Sequence, residues 1–261
     1  MKIALIGTGN VAWSLARAID RLGDYTLSAV YGRDITKARE VIGNLSGHDA
    51  IAVDSIRAIP RDTDIYVIAV KDSAIEAVAD SVPPDRSGAL WLHTAGGVGV
   101  SVLARVSSMH GVLYPLQTFT RGIDVDFKDV PLFIEGSTPE AICRIEHLAN
   151  ALSTVVAHAD SLRRRKMHVA AVFGCNFANF MWTMAQELME QNGMTFEMLR
   201  PLIDETLRKA YAISPMEGQT GPARRHDCRL VNSHLSLLDG DKAELYKMLS
   251  KSIMNYYDEC H

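Results

Sequence analysis

Short apolar runs alternate with amphipathic segments over the first 158 residues. Continuous runs of this length are typical of parallel strands that helices cover on both faces. They predict strands at residues 3–6, 27–30, 51–53, 65–70, 90–92 and 112–114, with further edge strands at 132–134 and 154–157. Helices are expected at residues 11–22, 73–81 and 140–152. This half of the chain is therefore predicted to be an α/β domain with a doubly wound sheet.

The pattern changes after residue 158, where no further strand is indicated. Helices are predicted at residues 161–191, 196–213, 225–238 and 242–258, so we divide the chain into an α/β domain, 1–158, and an all-α domain, 159–261. Residues 167–186 contain no Asp, Glu, Lys or Arg, so they carry no charge unless His168 is protonated. Several polar side chains interrupt this stretch, which argues against a membrane span. We expect a helix buried nearly all round, in the centre of the helical domain or of a dimer.

A glycine-rich turn follows the first apolar run. Its residues are Gly7, Thr8, Gly9, Asn10, Val11 and Ala12, which form a GxGxxA pattern between a strand and a helix. Gly7 would permit the tight turn, Gly9 would let a pyrophosphate approach, and Ala12 would keep the helix close to the strand. The alternative is a turn that serves packing alone. We predict a dinucleotide site formed by residues 7–11 together with Ala69, Val70 and Lys71 after a later strand.

The end of the second strand distinguishes between the two nicotinamide cofactors. NAD-selective domains place an acidic residue there to accept a hydrogen bond from the ribose, whereas Arg33 is the first charged residue here. A guanidinium suits a ribose 2′-phosphate, so NADP is favoured. Asp34 supports the alternative, in which it binds the ribose of NAD and Arg33 is a solvated neighbour.

Composition narrows the class of protein. The 261 residues are 48% hydrophobic and 22% charged with a net charge of −4, so no basic bias points to nucleic acid. Cys143, Cys175, Cys228 and Cys260 are widely spaced, which indicates neither disulfides nor a metal site. The apolar run after Lys2 is too short for a signal peptide. We expect reduced thiols, a cytoplasmic location, no membrane partner and no metal.

Two histidines are the candidates for proton transfer. His93 follows the fifth apolar run, where it could polarise a carbonyl or donate a proton, or simply cap the strand. His168 is the second candidate, with Asn176 and Asn179 to orient a substrate. At 100° per residue they share a helix face with Val172, Cys175 and Thr183, opposite Phe173, Phe177, Phe180 and Met184. Equally, these polar groups could satisfy one another across a dimer interface.

Three further residues are candidates for substrate binding. Gln117 follows a strand end, and Arg225 and Asp227 lie in a charged segment after a Gly221-Pro222 turn. These charges would suit an acidic substrate. An ion-paired loop that closes a dimer is the alternative.

Six motifs together resemble one family of enzymes. They are GTGNVA at residues 7–12, AVKD at 69–72, HTAGG at 93–97, YPLQTF at 114–119, AAVFGCNFANF at 170–180 and TGPARRHD at 220–227. The chain is similar over its whole length to Rossmann-like NADP oxidoreductases with a helical C-terminal domain of unknown function. Their relatives include pyrroline-carboxylate reductase, deazaflavin-dependent NADP reductase and hydroxyacid dehydrogenases of the 6-phosphogluconate dehydrogenase type.

The chain departs from those relatives at their catalytic motifs. Hydroxyacid dehydrogenases place a lysine one turn before an asparagine, but Ala170 lies four residues after Lys166. The serine- and glycine-rich signature of pyrroline-carboxylate reductases is also missing. The resemblance thus implies hydride transfer between NADP and the carbonyl or imine of a small metabolite of unknown identity. A homodimer formed through the helical domain is expected, and a non-catalytic NADPH-binding redox sensor is the alternative.

Overall fold

An eight-stranded sheet organises the first part of the chain. The computed structural model describes residues 1–47 and 49–258. The strands are β1 (Lys2–Ile6), β2 (Thr26–Tyr31), β3 (Ile51–Val53), β4 (Ile65–Ile68), β5 (Leu90–His93), β6 (His110–Pro115), β7 (Leu132–Gly136) and β8 (Val156–His158). Their order is β3-β2-β1-β4-β5-β6-β7-β8. All neighbours are parallel except β6 and β7.

The strand order reverses at β1, which pairs with β2 on one side and β4 on the other. Ile3, Leu5 and Ile6 are fully buried there, because helices cover both faces of the sheet. In open α/β sheets, ligands bind beyond the carboxyl ends of the strands at this switch point. The order therefore directs attention to the loops that follow β1, β2, β4, β5 and β6.

Five helices accompany the sheet: α1 (Asn10–Asp20), α2 (Ile35–Ile42), α3 (Ile75–Asp80), α4 (Pro139–Leu152) and α5 (Ser161–Ala171). The predicted α/β fold class is confirmed, although α2 was not predicted. Two further differences concern the chain after β4. The strand predicted at 65–70 ends at Ile68, and the helix predicted at 73–81 begins as a 3-10 turn over Asp72–Ala74. Both differences lie at the carboxyl edge of the sheet, where the chain leaves β4.

The long helix predicted at 161–191 is divided into α5 and α6 (Ala178–Gln191) by a π-helical segment, Val172–Phe177. Hydrogen bonds in a π segment run from i to i+5, so each residue turns the chain by less than 100°. Side chains before and after this segment therefore do not share the faces that regular helical spacing assigns to them.

The remaining helices are α7 (Arg200–Ile213), α8 (Pro215–Gly218), α9 (Cys228–Leu235) and α10 (Gly240–Asp258). Contacts divide the chain into two compact units, Met1–Asn176 and Phe177–His261. The domain boundary predicted at residue 158 stays a prediction. Apart from Arg164, no residue of α5, the π-helical segment or α6 is buried, so within this chain the expectation of a helix buried nearly all round is wrong. Burial in a dimer stays a prediction.

Two further findings concern the described residues. None of their helices is both long and apolar enough to cross a membrane. Within the same residues, no group of three or more His, Cys, Asp or Glu side chains is arranged to hold a metal ion. Cys143, Cys175 and Cys228 are free, exposed thiols, and Cys260 lies outside the described residues.

Candidate cofactor and active site

The glycine-rich turn passes tightly between two strand ends. Gly7 has a φ of +132°, and a Cβ there would collide with the carbonyl of Ala69. Its amide donates to the carbonyl of Tyr31 at 2.9 Å, while the amide of Ala69 donates to the carbonyl of Ile6 at 2.7 Å. Only glycine tolerates this combination of dihedral and close approach. The turn is therefore anchored to β2 and to the end of β4.

The next glycine leaves the helix terminus open. Gly9 caps α1 without a side-chain hydrogen bond, and no atom lies within 4 Å of a Cβ built on it. The first bond within α1 runs from the amide of Trp13 to the carbonyl of Gly9, at 2.9 Å. The amides before Trp13, which include those of Asn10 and Val11, donate no hydrogen bond within the helix. They lie at the positive end of the helix dipole. This arrangement fits the pyrophosphate of a dinucleotide.

The structure separates the roles of Arg33 and Asp34. The Asp34 carboxylate caps α2 by accepting a hydrogen bond from the amide of Thr36 at 3.0 Å. The Arg33 side chain is exposed and makes no hydrogen bond or ion pair with any other described residue. A guanidinium at the end of β2 with its donors available fits a ribose 2′-phosphate. The arrangement weighs against Asp34 as the ribose acceptor of NAD.

The loop after β4 forms the other side of the turn. Ala69 is buried, Val70 is half-buried and Lys71 is exposed. Val70 Cγ1 lies 3.3 Å from the position of a Cβ on Gly7. Ala69 and Val70 are thus placed against the glycine-rich turn, as the sequence predicts for cofactor-binding residues, although their binding role stays a prediction.

His93 ends β5 beneath the loop that follows it. Its side chain is 0% exposed, and Nδ1 accepts a hydrogen bond from the amide of Ala95 at 3.2 Å. Nε2 has no hydrogen-bond partner among the described residues. Burial, and secondarily the charge of Arg164, lowers the pKa of His93 to about 4. A neutral, buried imidazole is poorly suited to donating a proton to a substrate, so the catalytic role of His93 stays a prediction that this geometry does not favour.

A second histidine pairs with a tyrosine that the sequence analysis did not select. His168 of α5 is half-buried, and its Nδ1 lies 3.0 Å from the hydroxyl of Tyr114 near the end of β6. The rings meet edge to face with centroids 6.0 Å apart. A Cβ on Gly96 would lie 2.8 Å from His168 Nδ1 and from Tyr114 Cζ. The Gly-Gly step after β5 thus lets the loop approach this pair.

The environment of Tyr114 keeps its hydroxyl protonated. Burial raises the pKa of Tyr114, and the negative charge of Asp72 raises it further, while Arg164 opposes them. Asp72 lies beside the same loop, because its Oδ2 is 3.0 Å from the position of a Cβ on Gly97. Side chains from the ends of β4 and β6 and from α5 therefore meet at one place, with an imidazole and a proton-bearing hydroxyl in contact.

A buried arginine fixes this region. Arg164 is 0% exposed and forms an ion pair with Glu135 of β7. Its Nε donates to the carbonyl of Ala95 at 3.2 Å, and its Nη2 donates to the carbonyl of Val98 at 2.5 Å. Arg164 precedes His168 by one helical turn, so both side chains lie on the same face of α5. The guanidinium thereby holds residues 95–98 against the helix that carries His168.

The other predicted site residues are not brought to this cluster by any described contact. Gln117 is exposed and accepts from the amide of Thr118 at 2.8 Å, and Asn176 is exposed. Asn179, Arg225 and Asp227 belong to the second unit. Asp227 caps α9 by accepting from the amide of Leu230 at 3.0 Å, while Arg225 is exposed. Their roles in substrate binding stay predictions.

Comparison with known proteins agrees with the cofactor geometry. Residues 2–95 match the family model described as NADP oxidoreductase, coenzyme F420-dependent, and residues 130–253 match a domain of unknown function, DUF2520. The crystal structure of a "putative NADP oxidoreductase" from Bacteroides fragilis is 38% identical, with a TM-score of 0.91 over 97% of this chain and 98% of that chain. The chain belongs to this NADP oxidoreductase family. The resemblance predicted from the sequence motifs is confirmed, and so is NADP as the cofactor of the family.

More distantly related structures share the fold of this chain. A reductive aminase from Aspergillus terreus in complex with NADPH and ethyl levulinate is 16% identical, with a TM-score of 0.72 over 98% of this chain and 94% of that chain. An imine reductase from Myxococcus stipitatus in complex with NADP+ is 15% identical, with a TM-score of 0.62 over 99% and 93%. No curated protein sequence matches the chain.

Proposed function

We propose that the protein is an NADPH-dependent reductase that acts on the carbonyl or imine group of a small polar metabolite. The contact between Tyr114 and His168 at the carboxyl edge of the sheet carries this proposal. Reduction of a C=O or C=N bond requires a hydride at carbon and a proton at the heteroatom. When bound, the reduced nicotinamide supplies the hydride. The Tyr114–His168 pair is suited to manage the proton.

The tyrosine determines which ring nitrogen of the neutral His168 imidazole carries the proton. Because the pKa of Tyr114 is raised, its hydroxyl keeps its proton at neutral pH and can donate a hydrogen bond to Nδ1 of a neutral His168. That bond leaves the proton of the neutral ring on Nε2. When the ring is protonated, Nδ1 donates to the Tyr114 oxygen instead, and the proton on Nε2 can pass to the substrate. Histidine is the side chain that most often transfers protons in enzymes.

The charge near the pair bears on the substrate class. Asp72 is exposed and raises the pKa of Tyr114 through its negative charge. A carboxylate at this position would also stabilise a positively charged iminium group by Coulomb attraction. The distant structural neighbours described as an imine reductase and a reductive aminase support including C=N substrates beside carbonyls.

We also propose that the enzyme is a cytoplasmic homodimer formed through its helical domain. Large apolar side chains of α6 and α7 are exposed in the single chain: Phe180, Leu202, Leu207, Tyr211 and Ile213. Contiguous exposed apolar surface is typical of interfaces between proteins. Light scattering is expected to give twice the monomer mass of 28.7 kDa, and a monomer at micromolar concentration would contradict the proposal.

The catalytic proposal is tested by NADPH oxidation with a panel of oxo acids, aldehydes and cyclic imines. Once a substrate is found, His168→Asn is expected to lower kcat by about 10²- to 10⁴-fold, the usual contribution of a general acid. Tyr114→Phe is expected to lower kcat less and to shift the pH profile. Both variants should keep their affinity for NADPH.

The second unit offers a matched control. The Tyr246 hydroxyl lies 2.7 Å from His234 Nδ1, and the two rings meet edge to face with centroids 5.8 Å apart. Tyr246→Phe removes the same kind of bond from a pair within the second unit and should leave kcat nearly unchanged. Full activity of His168→Asn would contradict the proposed acid. NADPH binding without turnover of any substrate in the panel would favour the redox sensor.

A further inference from the structure

Arg121, in the segment between β6 and β7, lies against the glycine-rich turn. Its Nη2 donates to the carbonyl of Thr8 at 2.8 Å, and its Nη1 pairs with Glu40 of α2 at 2.8 Å. The guanidinium also stacks over the ring of Trp13 on α1, with its carbon 4.7 Å from the ring centroid. One side chain therefore contacts the turn and both helices that flank it.

The loop that carries Arg121 is held by a separate set of contacts. Asp124 pairs with Arg17 of α1 at 3.5 Å and with Arg21, the C-cap residue of that helix, at 2.7 Å. The hydrogen bond and charge of Arg21 lower the pKa of Asp124, so this carboxylate stays ionised at neutral pH. The position of Arg121 over the turn is thus supported from the C-terminal half of α1 as well as by its own bonds.

Thr8 connects the two ends of the cofactor site. A Cβ on Gly32 would lie 2.7 Å from Thr8 Cγ2, so the threonine methyl packs on the residue just before Arg33. The bond from Arg121 fixes the carbonyl of Thr8, and because the peptide is planar it also fixes the orientation of the Gly9 amide. Glu40 lies in the last turn of α2, and the first turn of the same helix follows Arg33. Arg121 therefore ties the pyrophosphate end of the site to the 2′-phosphate end.

We propose that Arg121 is a positioning residue for NADP, which holds these two ends of the site at a fixed separation. The inference rests on the placement of the cofactor at residues 7–11 and 33. A dinucleotide spans both ends, so it gains from their preorganisation, whereas a fragment that binds one end does not. Arg121 should therefore matter for the intact cofactor, with or without its 2′-phosphate, and not for a fragment bound at Arg33.

Calorimetric titration of Arg121→Ala with three probes tests this. The Kd values for NADPH and for NADH are both expected to rise about tenfold, because binding must then order a turn that Arg121 no longer holds. The Kd for adenosine 2′-monophosphate should stay within about twofold of wild type. Arg33→Ala, in contrast, should weaken NADPH and adenosine 2′-monophosphate and spare NADH.

Other results overturn the proposal. A loss confined to NADPH would place Arg121 on the 2′-phosphate itself, and unchanged affinities for both dinucleotides would leave it no role. Glu40→Ala should reproduce the effect on the dinucleotides, and adding it to Arg121→Ala should change little further, because both remove one bridge. If the double variant instead showed the product of the two single increases in Kd, Arg121 and Glu40 would act independently, which would contradict the proposed bridge. Should Arg121→Ala not fold, Glu40→Ala with the same probes decides the matter.

A control on an unrelated ion pair completes the test. Arg61 pairs with Asp85 at 3.3 Å and is highly exposed, so Arg61→Ala removes the same charge without touching the turn. It should leave all three affinities unchanged. If Arg33→Ala also changes none of them, the cofactor placement fails, and this outcome is distinct from failure of the role of Arg121 alone.

Discussion

Replacement of Arg164 by methionine is expected to destabilise the first unit strongly. Methionine keeps an unbranched apolar stem but removes every donor of the guanidinium. The carbonyls of Ala95 and Val98 lose their donor. The Ser161 hydroxyl, 3.3 Å from Nη2, loses one of its bonds but keeps those to Glu135 and to the amide of Val100. Glu135 is left without the cation with which it pairs.

The magnitude follows from the burial of the two partners. Removal of one member of a buried ion pair costs about 3–5 kcal/mol, because the remaining charge stays desolvated. Arg164 has no exposed side-chain surface, but Glu135 keeps 18%, so water can still reach its carboxylate. We therefore expect the low end, about 3 kcal/mol of the free energy of unfolding. Urea unfolding followed by circular dichroism measures it, with separate fits if the two units unfold in separate transitions.

Two variants check the reasoning. Glu135→Gln in the Arg164→Met background removes the stranded charge and should recover about 1–2 kcal/mol, since the two residues are directly coupled. Arg105→Ala breaks a half-exposed ion pair with Asp80, at 3.1 Å, and should cost less than about 1 kcal/mol. If Arg164→Met lowers the free energy of unfolding by no more than this control does, the guanidinium does not stabilise the loop at residues 95–98 as we expect.

Three other substitutions address the cofactor site and the buried histidine. Arg33→Ala should weaken NADPH about tenfold in calorimetry and leave NADH unchanged, so an equal loss for both would refute the 2′-phosphate role. Gly7→Ala should abolish NADPH binding and lower the melting temperature, since φ is +132° and the Cβ meets Ala69; a wild-type melt would disprove that strain. The pKa of His93 is lowered to about 4 from 6.5, so stability present above pH 6.5 is lost as pH falls toward 4, by up to about 3 kcal/mol. In His93→Asn the urea midpoint should therefore depend less on pH between 6.5 and 4. An unaltered dependence would mean that other groups cause the loss of stability in acid.

Local patterns explain why much of the sheet could be predicted. Each strand that helices cover on both faces leaves a continuous apolar run, and a glycine turn between strand and helix has few alternatives. The apolar run at residues 65–70 nevertheless extends beyond β4, which ends at Ile68. Ala69 belongs to one buried hydrophobic cluster and Val70 packs against another, although neither residue lies in the strand. Hydrophobicity reports burial, and here burial continues after the strand has ended.

The helical region was harder to predict because its signals are not local. Regular spacing placed His168, Asn176 and Asn179 on one face, but the π segment Val172–Phe177 lies between the first and the last of them. No proline marks this segment, and its hydrogen-bond pattern depends on tertiary contacts. The sequence likewise shows that α6 and α7 carry apolar side chains, but it does not show whether the folded chain buries them.

The candidate acid shows where strand-end reasoning stops. Polar side chains at the ends of β5 and β6 both lie at the carboxyl edge, so position alone favours His93 and Tyr114 equally. The two residues differ because the loop after β5 covers His93. Arg164 of α5 binds the carbonyl of Ala95 in this loop, and the amide of Ala95 donates to His93. The same arginine places His168, one turn further along, against the Tyr114 hydroxyl, 54 residues away in sequence. The choice between the two candidate residues therefore depends on the ion pair of Arg164 with Glu135, and only the folded chain reveals that pair.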